Sequence, residues 1–356
     1  MDVPDDVPEG TRSRGPTVHH PLAQLPPGEQ RLLSPAPDGL ELVAAPMLAR
    51  LSDRREFPVE WIFERKWDGV RVLAVRHGDR VWLRSRSGQP LNDTYPELVE
   101  ALARQPHHDL VVDGEVVAFH RGRTDFSLLQ QRMQITDPER ARASPVRISY
   151  QLFDLLALDG LATGRLPLRT RKSLLRRVVE FTPPLGFTPH RNQGGADLLE
   201  RACAQGWEGL IAKRARSRYG RGRSGDWLKL KCSRGQEFVI GGYTDPSGAR
   251  IGFGALLLGY YQAGSLRYAG KVGTGFDDAT LRVLHRGLEA RARASSPFTD
   301  PVRERGPHWV EPLLVAQVDF AEWTRDGMLR HPRFLGLRGD KDPREVVREG
   351  PAPRTG

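Results

Sequence analysis

Val111-Val112-Asp113-Gly114-Glu115-Val116-Val117 is the stretch that most narrows the folds open to this chain. Its valines read as a buried strand, and an acid-glycine-acid triplet interrupts it. A carboxylate drawn out of water into such a strand is costly unless cations or hydrogen-bond donors meet it there. If the stretch is such a strand, its charges need partners. An Asp-Gly-Glu triplet can equally be a plain turn, and by itself it does not separate the two readings.

Basic groups are in supply. Lys and Arg number 54 against 44 Asp and Glu, a formal net charge of +10. Such a balance favours polyanionic partners, since neutralised phosphates release counterions, although an arginine-rich proteome would give it too. A length of 356 residues suggests two domains. With 38% hydrophobic and 28% charged residues the chain reads as a soluble globular protein. No apolar run reaches membrane-spanning length and no signal segment opens the chain, so the expected location is cytoplasmic and nucleoid-associated. Cys203 and Cys232 lack metal-type neighbours, so neither a disulfide framework nor a zinc site is expected. The histidines show no metal spacing and receive no role.

Residues 1–40, rich in Pro, Gly and polar types, read as a disordered N-terminal tail. From Trp61 to Arg86 the alternation of a hairpin appears, with Val70, Val72 and Ala74 on one face and His77-Gly78-Asp79 as its turn. Residues 95–104 read as a helix with proline in its first turn. Strands are expected at 109–119, 147–155, 207–213 and 226–232, with helices near 170–180 and 195–205. After Cys232 the texture changes to short glycine-punctuated strands, a helix from about Asp277 to Arg293, and a strand at 313–320. The fold class is therefore α+β: a domain of mixed or antiparallel sheets over 41–233, then an OB-type β-barrel over 234–345, and a C-terminal tail over 346–356. A sandwich would fit the second domain's periodicity almost as well.

Lys66 stands in Glu64-Arg65-Lys66-Trp67-Asp68-Gly69-Val70-Arg71. A lysine, one spacer, an acid and a glycine suit a covalent nucleophile for an activated phosphate. Lysine is the cation that gives up its proton most readily when desolvated or crowded by positive charge, and glycine lets a backbone approach closely. Alone the tetrad is more often a solvated turn. The motifs that come after it along the chain change that balance: Arg84-Ser85-Arg86, the Asp113-Gly114-Glu115 strand, Phe153-Asp154, Glu208-Gly209 through Lys213, and Lys229 with Lys231 on one strand face. Together they supply a nucleophile, acids able to hold a divalent metal, cations for phosphates and an aromatic for a base.

In these motifs the chain resembles the ATP-dependent DNA ligases of the covalent nucleotidyltransferase superfamily, over roughly residues 42–345. The barrel stretch is most similar to the ligase module of bacterial DNA ligase D, used in non-homologous end joining. The resemblance implies that Lys66 is the catalytic nucleophile and carries AMP as a phosphoramidate. Glu64 would read the adenine, Arg71 and Arg86 would lie near sugar and phosphate, and Phe153 would stack on the base. Glu115 and Glu208 would hold the metal, Mg²⁺ or Mn²⁺, with Glu115 also at the ribose. Lys213, Lys229 and Lys231 would bind phosphates. Arg338, Asp340 and Lys341, in Arg338-Gly339-Asp340-Lys341, would orient the pyrophosphate from a mobile second domain. Nicked or broken duplex DNA is the implied partner of a likewise implied monomer, with a Ku-like end-binding protein and a separate repair polymerase beside it. RNA ligation or GTP-dependent capping shares the lysine chemistry, and a non-catalytic DNA-end-binding protein is the third reading. The Arg214–Arg223 loop is expected to touch the duplex backbone or the triphosphate; a mobile solvated connection between strands is the plain alternative.

Overall fold

The computed structural model describes residues 20–232, 235–246, 251–324 and 326–349. The first domain is built on two sheets. In the larger, strands Ser34–Pro35, Leu161–Ala162, Ile148–Leu158, Asp109–His120, Val70–His77 and Arg80–Ser85 lie side by side in that order. The smaller runs His190–Arg191, Trp61–Arg65, Gly209–Arg214, Gly222–Lys231 and Met47–Leu51. Met47 and Trp227 of the smaller sheet pack against Phe153 of the larger, so an aromatic cluster joins the two.

The hairpin strand Val70–His77 is covered on both faces. Val70, Val72 and Ala74 enter the main core, and Leu73 and Val75 enter a second cluster with Val43 and Leu156. Residues 36–43 supply the cover on the second face. Here the structure corrects the 1–40 tail: a 3-10 turn at Pro21–Gln24, short helices at Pro27–Gln30 and Gly39–Val43, and the strand Ser34–Pro35 all pack on the domain. Leu22 and Leu25 are buried in its core. Two leucines in a proline-rich stretch are enough, since the sheet offers them an apolar face. Residues 1–19 lie outside the described residues.

The second domain begins with strand Gln236–Thr244. Its sheet has the order Ser265–Val272, Leu256–Gln262, Gln236–Thr244, Pro307–Asp319, Ala292–Arg293, with Arg333–Leu337 paired to Pro307–Asp319. It is an OB fold with helix Asp278–Glu289 inserted. Asp277 caps that helix, its carboxylate accepting from the Thr280 N–H at 2.7 Å. Leu281, Leu284 and Leu288 recur on one helical face and pack with Phe238, Val315 and Phe334. The domain rests on the first through helix Phe126–Met133: Gln130 Nε2 donates to the Leu337 carbonyl at 3.4 Å, and Arg338 lies 4.8 Å over Phe126.

Two further expectations are corrected. Cys203 and Cys232 form a disulfide, Cα atoms 5.3 Å apart. Spacing along the chain hid it, because helix Ala196–Ala204 folds back onto the end of strand Gly222–Lys231. The 346–356 tail is also too long: Val346 is buried in the second core and residues 347–349 are held against the protein. Residues 350–356 lie outside the described residues. Among the described residues no helix is long and apolar enough to cross a membrane.

Candidate active site

Lys66 sits where the chain crosses from one sheet to the other. Strand Trp61–Arg65 ends just before it, and Val70–His77 of the larger sheet begins four residues later. The Lys66 N–H donates to the Gly209 carbonyl at 3.0 Å, pinning the crossing to a neighbouring strand. Gly69 is required here by the protein itself rather than by a ligand: a Cβ would lie 2.2 Å from the Val116 carbonyl oxygen. Gly209, at φ +151°, leaves no more room, its Cβ position falling 2.0 Å from the Leu230 oxygen. The Arg65 guanidinium lies 4.4 Å from the Trp67 ring and 4.9 Å from that of Trp207, which steadies the flank.

The Lys66 side chain reaches into a cavity between the domains and pairs there with Glu208. Its first charged neighbour is thus an acid, not the crowd of cations the sequence suggests. Aromatic rings close one end of the cavity, with Phe153 and Trp227 edge to face at 6.0 Å. Arg71 backs this pocket, 5.1 Å from the Phe153 ring. Its fork grips buried Asp113, Nε to Oδ1 at 2.7 Å and Nη2 to Oδ2 at 2.6 Å. The Tyr219 hydroxyl adds a third donor at 2.6 Å. These are the partners that the acid-bearing strand demanded.

One residue, Glu64, sits behind the cavity rather than on its wall. Its buried carboxylate pairs with Lys172 at 2.7 Å and Lys213 at 2.6 Å. It serves both lysines as counter-ion. Lys213 is committed to it, and its Nζ lies 4.0 Å from the Trp227 ring and 4.3 Å from that of Phe153, beneath the aromatic pocket. Burial and the Lys172 charge lower its pKa against the pull of Glu64. Lys213 thus lines the cavity at its aromatic end, with Glu64 behind it as counter-ion.

Around Lys66 the acids are Glu115, Asp68 and Glu208. Burial pushes Glu115 up to about 7, against Lys66 and Arg338. Burial and the neighbouring Glu208 raise Asp68 to about 6, against Lys66. Hard oxygen donors of this kind fit a divalent metal such as Mg²⁺ or Mn²⁺.

The opposite wall carries Arg86, Lys229, Lys231, Arg338 and Lys341. Arg338 is held rigid by Asp340, Nε to Oδ1 and Nη2 to Oδ2 both at 2.9 Å. Asp340 itself is buried, does not line the cavity, and orients Arg338. Lys341 pairs with Glu237 at 3.1 Å. Lys229 and Lys231, on one strand face as their spacing requires, share Glu349. Burial and the charge of Lys231 lower Lys229 to about 8 although Glu349 opposes this. The Arg214–Arg223 loop is not a loose connection. Ala215 and Ser217 turn inward, and the Ala215 and Ser217 carbonyls accept from the Arg169 and Leu168 N–H groups. Arg216 and Arg218 remain exposed, and Arg223 reaches the cavity.

Sequence reasoning missed Tyr219, Lys172, Glu237 and Glu349. Only Tyr219 left a trace, as the one aromatic among the loop arginines. Among the described residues, one trio also has metal-ligand chemistry: His20, His107 and Asp159. Both imidazoles meet Asp159 Oδ2 at 2.7 Å, but the Leu22 N–H donates to His20 Nδ1, which leaves Nε2 as the protonated nitrogen. The trio is a hydrogen-bonded clasp that ties the N-terminal segment to the domain.

A cavity between a two-sheet domain and an OB fold, with a lysine at the sheet crossing and cations from both sides, defines a class: the two-domain nucleotide-dependent ligases. The chain belongs to the ATP-dependent DNA ligase family, matching its "ATP dependent DNA ligase domain" over residues 46–231 and its "ATP dependent DNA ligase C terminal region" over 249–341. Among its relatives is the multifunctional non-homologous end joining protein LigD of Pseudomonas aeruginosa, 41% identical over 302 residues, covering 82% of this chain and 35% of that protein. The LigD of Mycobacterium tuberculosis is 39% identical over 298 residues, covering 82% and 38%. The chain thus spans little more than a third of the length of these relatives. A mycobacterial DNA ligase D solved with ATP and MES is 36% identical with a TM-score of 0.60, covering 86% of this chain and 99% of that one.

Proposed function

We propose that this chain seals 5′-phosphate/3′-hydroxyl nicks or ends in duplex DNA, using ATP and a covalent lysyl-AMP, in end-joining repair. The observation that carries the proposal is the Lys66–Glu208 pair in a cavity lined by cations of both domains. In the first step Lys66 Nζ attacks the α-phosphorus of ATP; a P–N bond forms, the bond to pyrophosphate breaks, and Glu208 is placed to take the ammonium proton. Phe153 and Trp227 offer the flat apolar faces a base stacks on. Lys229, Lys231, Arg338 and Lys341 meet the departing charge. A 5′-phosphate oxygen of DNA then takes the AMP, freeing Lys66, and the 3′-hydroxyl displaces AMP as the backbone bond forms. Glu115, Asp68 and Glu208 would hold the divalent metal, which offsets phosphate charge when bound.

Intact-mass measurement after ATP with Mg²⁺ or Mn²⁺ tests the reading. A gain of one AMP that vanishes in Lys66→Ala is expected, and no gain with either metal would defeat it. Labelling with GTP separates capping chemistry, and nicked RNA against nicked DNA separates RNA ligation. A non-catalytic end binder would bind DNA without any mass gain. A Ku-like protein and a repair polymerase as partners, and a nucleoid location, belong to the same proposal. They rest on the end-joining role that the LigD relatives carry in their names.

A further inference from the structure

The last described residues lie across the cavity in a way the joining chemistry does not require. Val346 is anchored in the second domain, buried and accepting from the Tyr261 N–H at 2.7 Å. Beyond it Val347 bridges to Tyr261, and one side chain holds the backbone on both sides of Arg348. Gln236, itself buried, donates from Nε2 to the Val347 carbonyl at 3.4 Å and accepts the Glu349 N–H on Oε1 at 3.1 Å. Arg348 rests on the Trp323 ring at 4.3 Å. This delivers the Glu349 carboxylate to Lys229 and Lys231, the second at 3.1 Å. Glu345, earlier in the segment, pairs with Arg86. A carboxylate bridging two lysines presents the same anionic oxygens to them as a phosphate does.

We infer that residues 347–349 form an internal competitor for the polyphosphate seat, with Glu349 occupying Lys229 and Lys231 until a nucleotide's phosphates displace it. This rests on the proposed function, since it assigns those lysines to the nucleotide. The Val346 anchor sets the hinge: the three residues beyond it are freed by losing the Gln236 grip, the Tyr261–Val347 bridge, the Arg348–Trp323 contact and the two ion pairs. Because a docked competitor lowers apparent affinity by the fraction of molecules left open, its removal tightens binding by the inverse of that fraction.

The probe is inorganic tripolyphosphate, titrated calorimetrically into the full chain and into Glu349→Gln. Glu349→Gln is expected to bind it at least about fivefold more tightly, a seat open in about a fifth of molecules. Glu289→Gln, on an exposed turn of the inserted helix, should bind as the parent does. Unchanged or weaker binding in Glu349→Gln overturns the inference. Weaker binding is what a merely structural role would give, since a loosened domain contact would pull Lys341 and Arg338 away. Thermal melts of both variants confirm that the fold is kept, and the neutral amide of equal size is chosen for that reason. Tripolyphosphate binding needs no chemistry, so a failure of lysyl-AMP formation in the parent chain would count against the proposed function alone.

Discussion

Single side chains in this molecule divide into those that hold and those that are held ready. Arg71 and Arg338 look reactive in sequence, yet each is locked by a carboxylate fork and shapes the cavity wall. Glu115 is the opposite case, a half-buried acid on the cavity wall with no ion-pair partner among the described residues. Its folded pKa of about 7 stands above the usual 4.5, so the native state holds the proton more tightly than the unfolded chain. The contribution is fully present below pH 4.5 and is lost as pH rises toward 7. Without divalent metal, Glu115→Gln should therefore melt a few degrees higher than the parent at pH 8, with the gap closing by pH 5. Equal melting differences at both pH values would show that the charge is met by groups other than those named. The same substitution should cut lysyl-AMP formation by about a hundredfold or more, since a charge-stabilising group is removed.

At the scale of elements, strand period carried most of what the sequence revealed. Lys229 and Lys231 share a face because side chains repeat every second residue, and both reach the cavity. Glu64, by contrast, lies behind Lys213 and off the cavity wall, an outcome that depends on which sheet lies behind it and not on the local pattern. The Arg214–Arg223 loop obeys it too, turning Ala215 and Ser217 inward and Arg216 and Arg218 outward. The loop's exposed arginines are expected to contact the DNA backbone. The triple replacement Arg216→Ala, Arg218→Ala, Arg221→Ala should weaken binding of nicked duplex alike for all sequences. In anisotropy titrations the slope of log affinity against log salt should flatten by about 0.9 for each lost contact. An unchanged slope would make the loop solvated surface. The disulfide and the packed N-terminal segment were invisible at this scale, since both are made by tertiary contact between elements that no sequence pattern pairs.

For the whole molecule, two domains and their motif order were legible, because chemistry demands residue types in combination. How the domains sit was not, since it depends on surface fit at Phe126, Gln130 and Gly336. A domain that brings Arg338 and Lys341 to the cavity also covers it, so sealing should require it to leave. Gln130→Cys with Gly336→Cys, bridged by a short thiol-specific reagent, should keep lysyl-AMP formation within about threefold and reduce nick sealing by about a hundredfold or more. These magnitudes are those of gating one step of a sequence. Equal losses in gel assays of both steps would exclude opening as the requirement. The crossing point of Lys66 has its own consequence. A side chain on a single strand inherits the rigidity of one sheet, but this one is suspended between two, with its backbone tied to Gly209 in one and Gly69 pressed on Val116 in the other. Its aim is accordingly a reading of the angle between the sheets. Repacking the Met47, Phe153 and Trp227 seam would turn the lysine as a hinge pin turns a key, and mistune the enzyme from residues that form no bond to the phosphate.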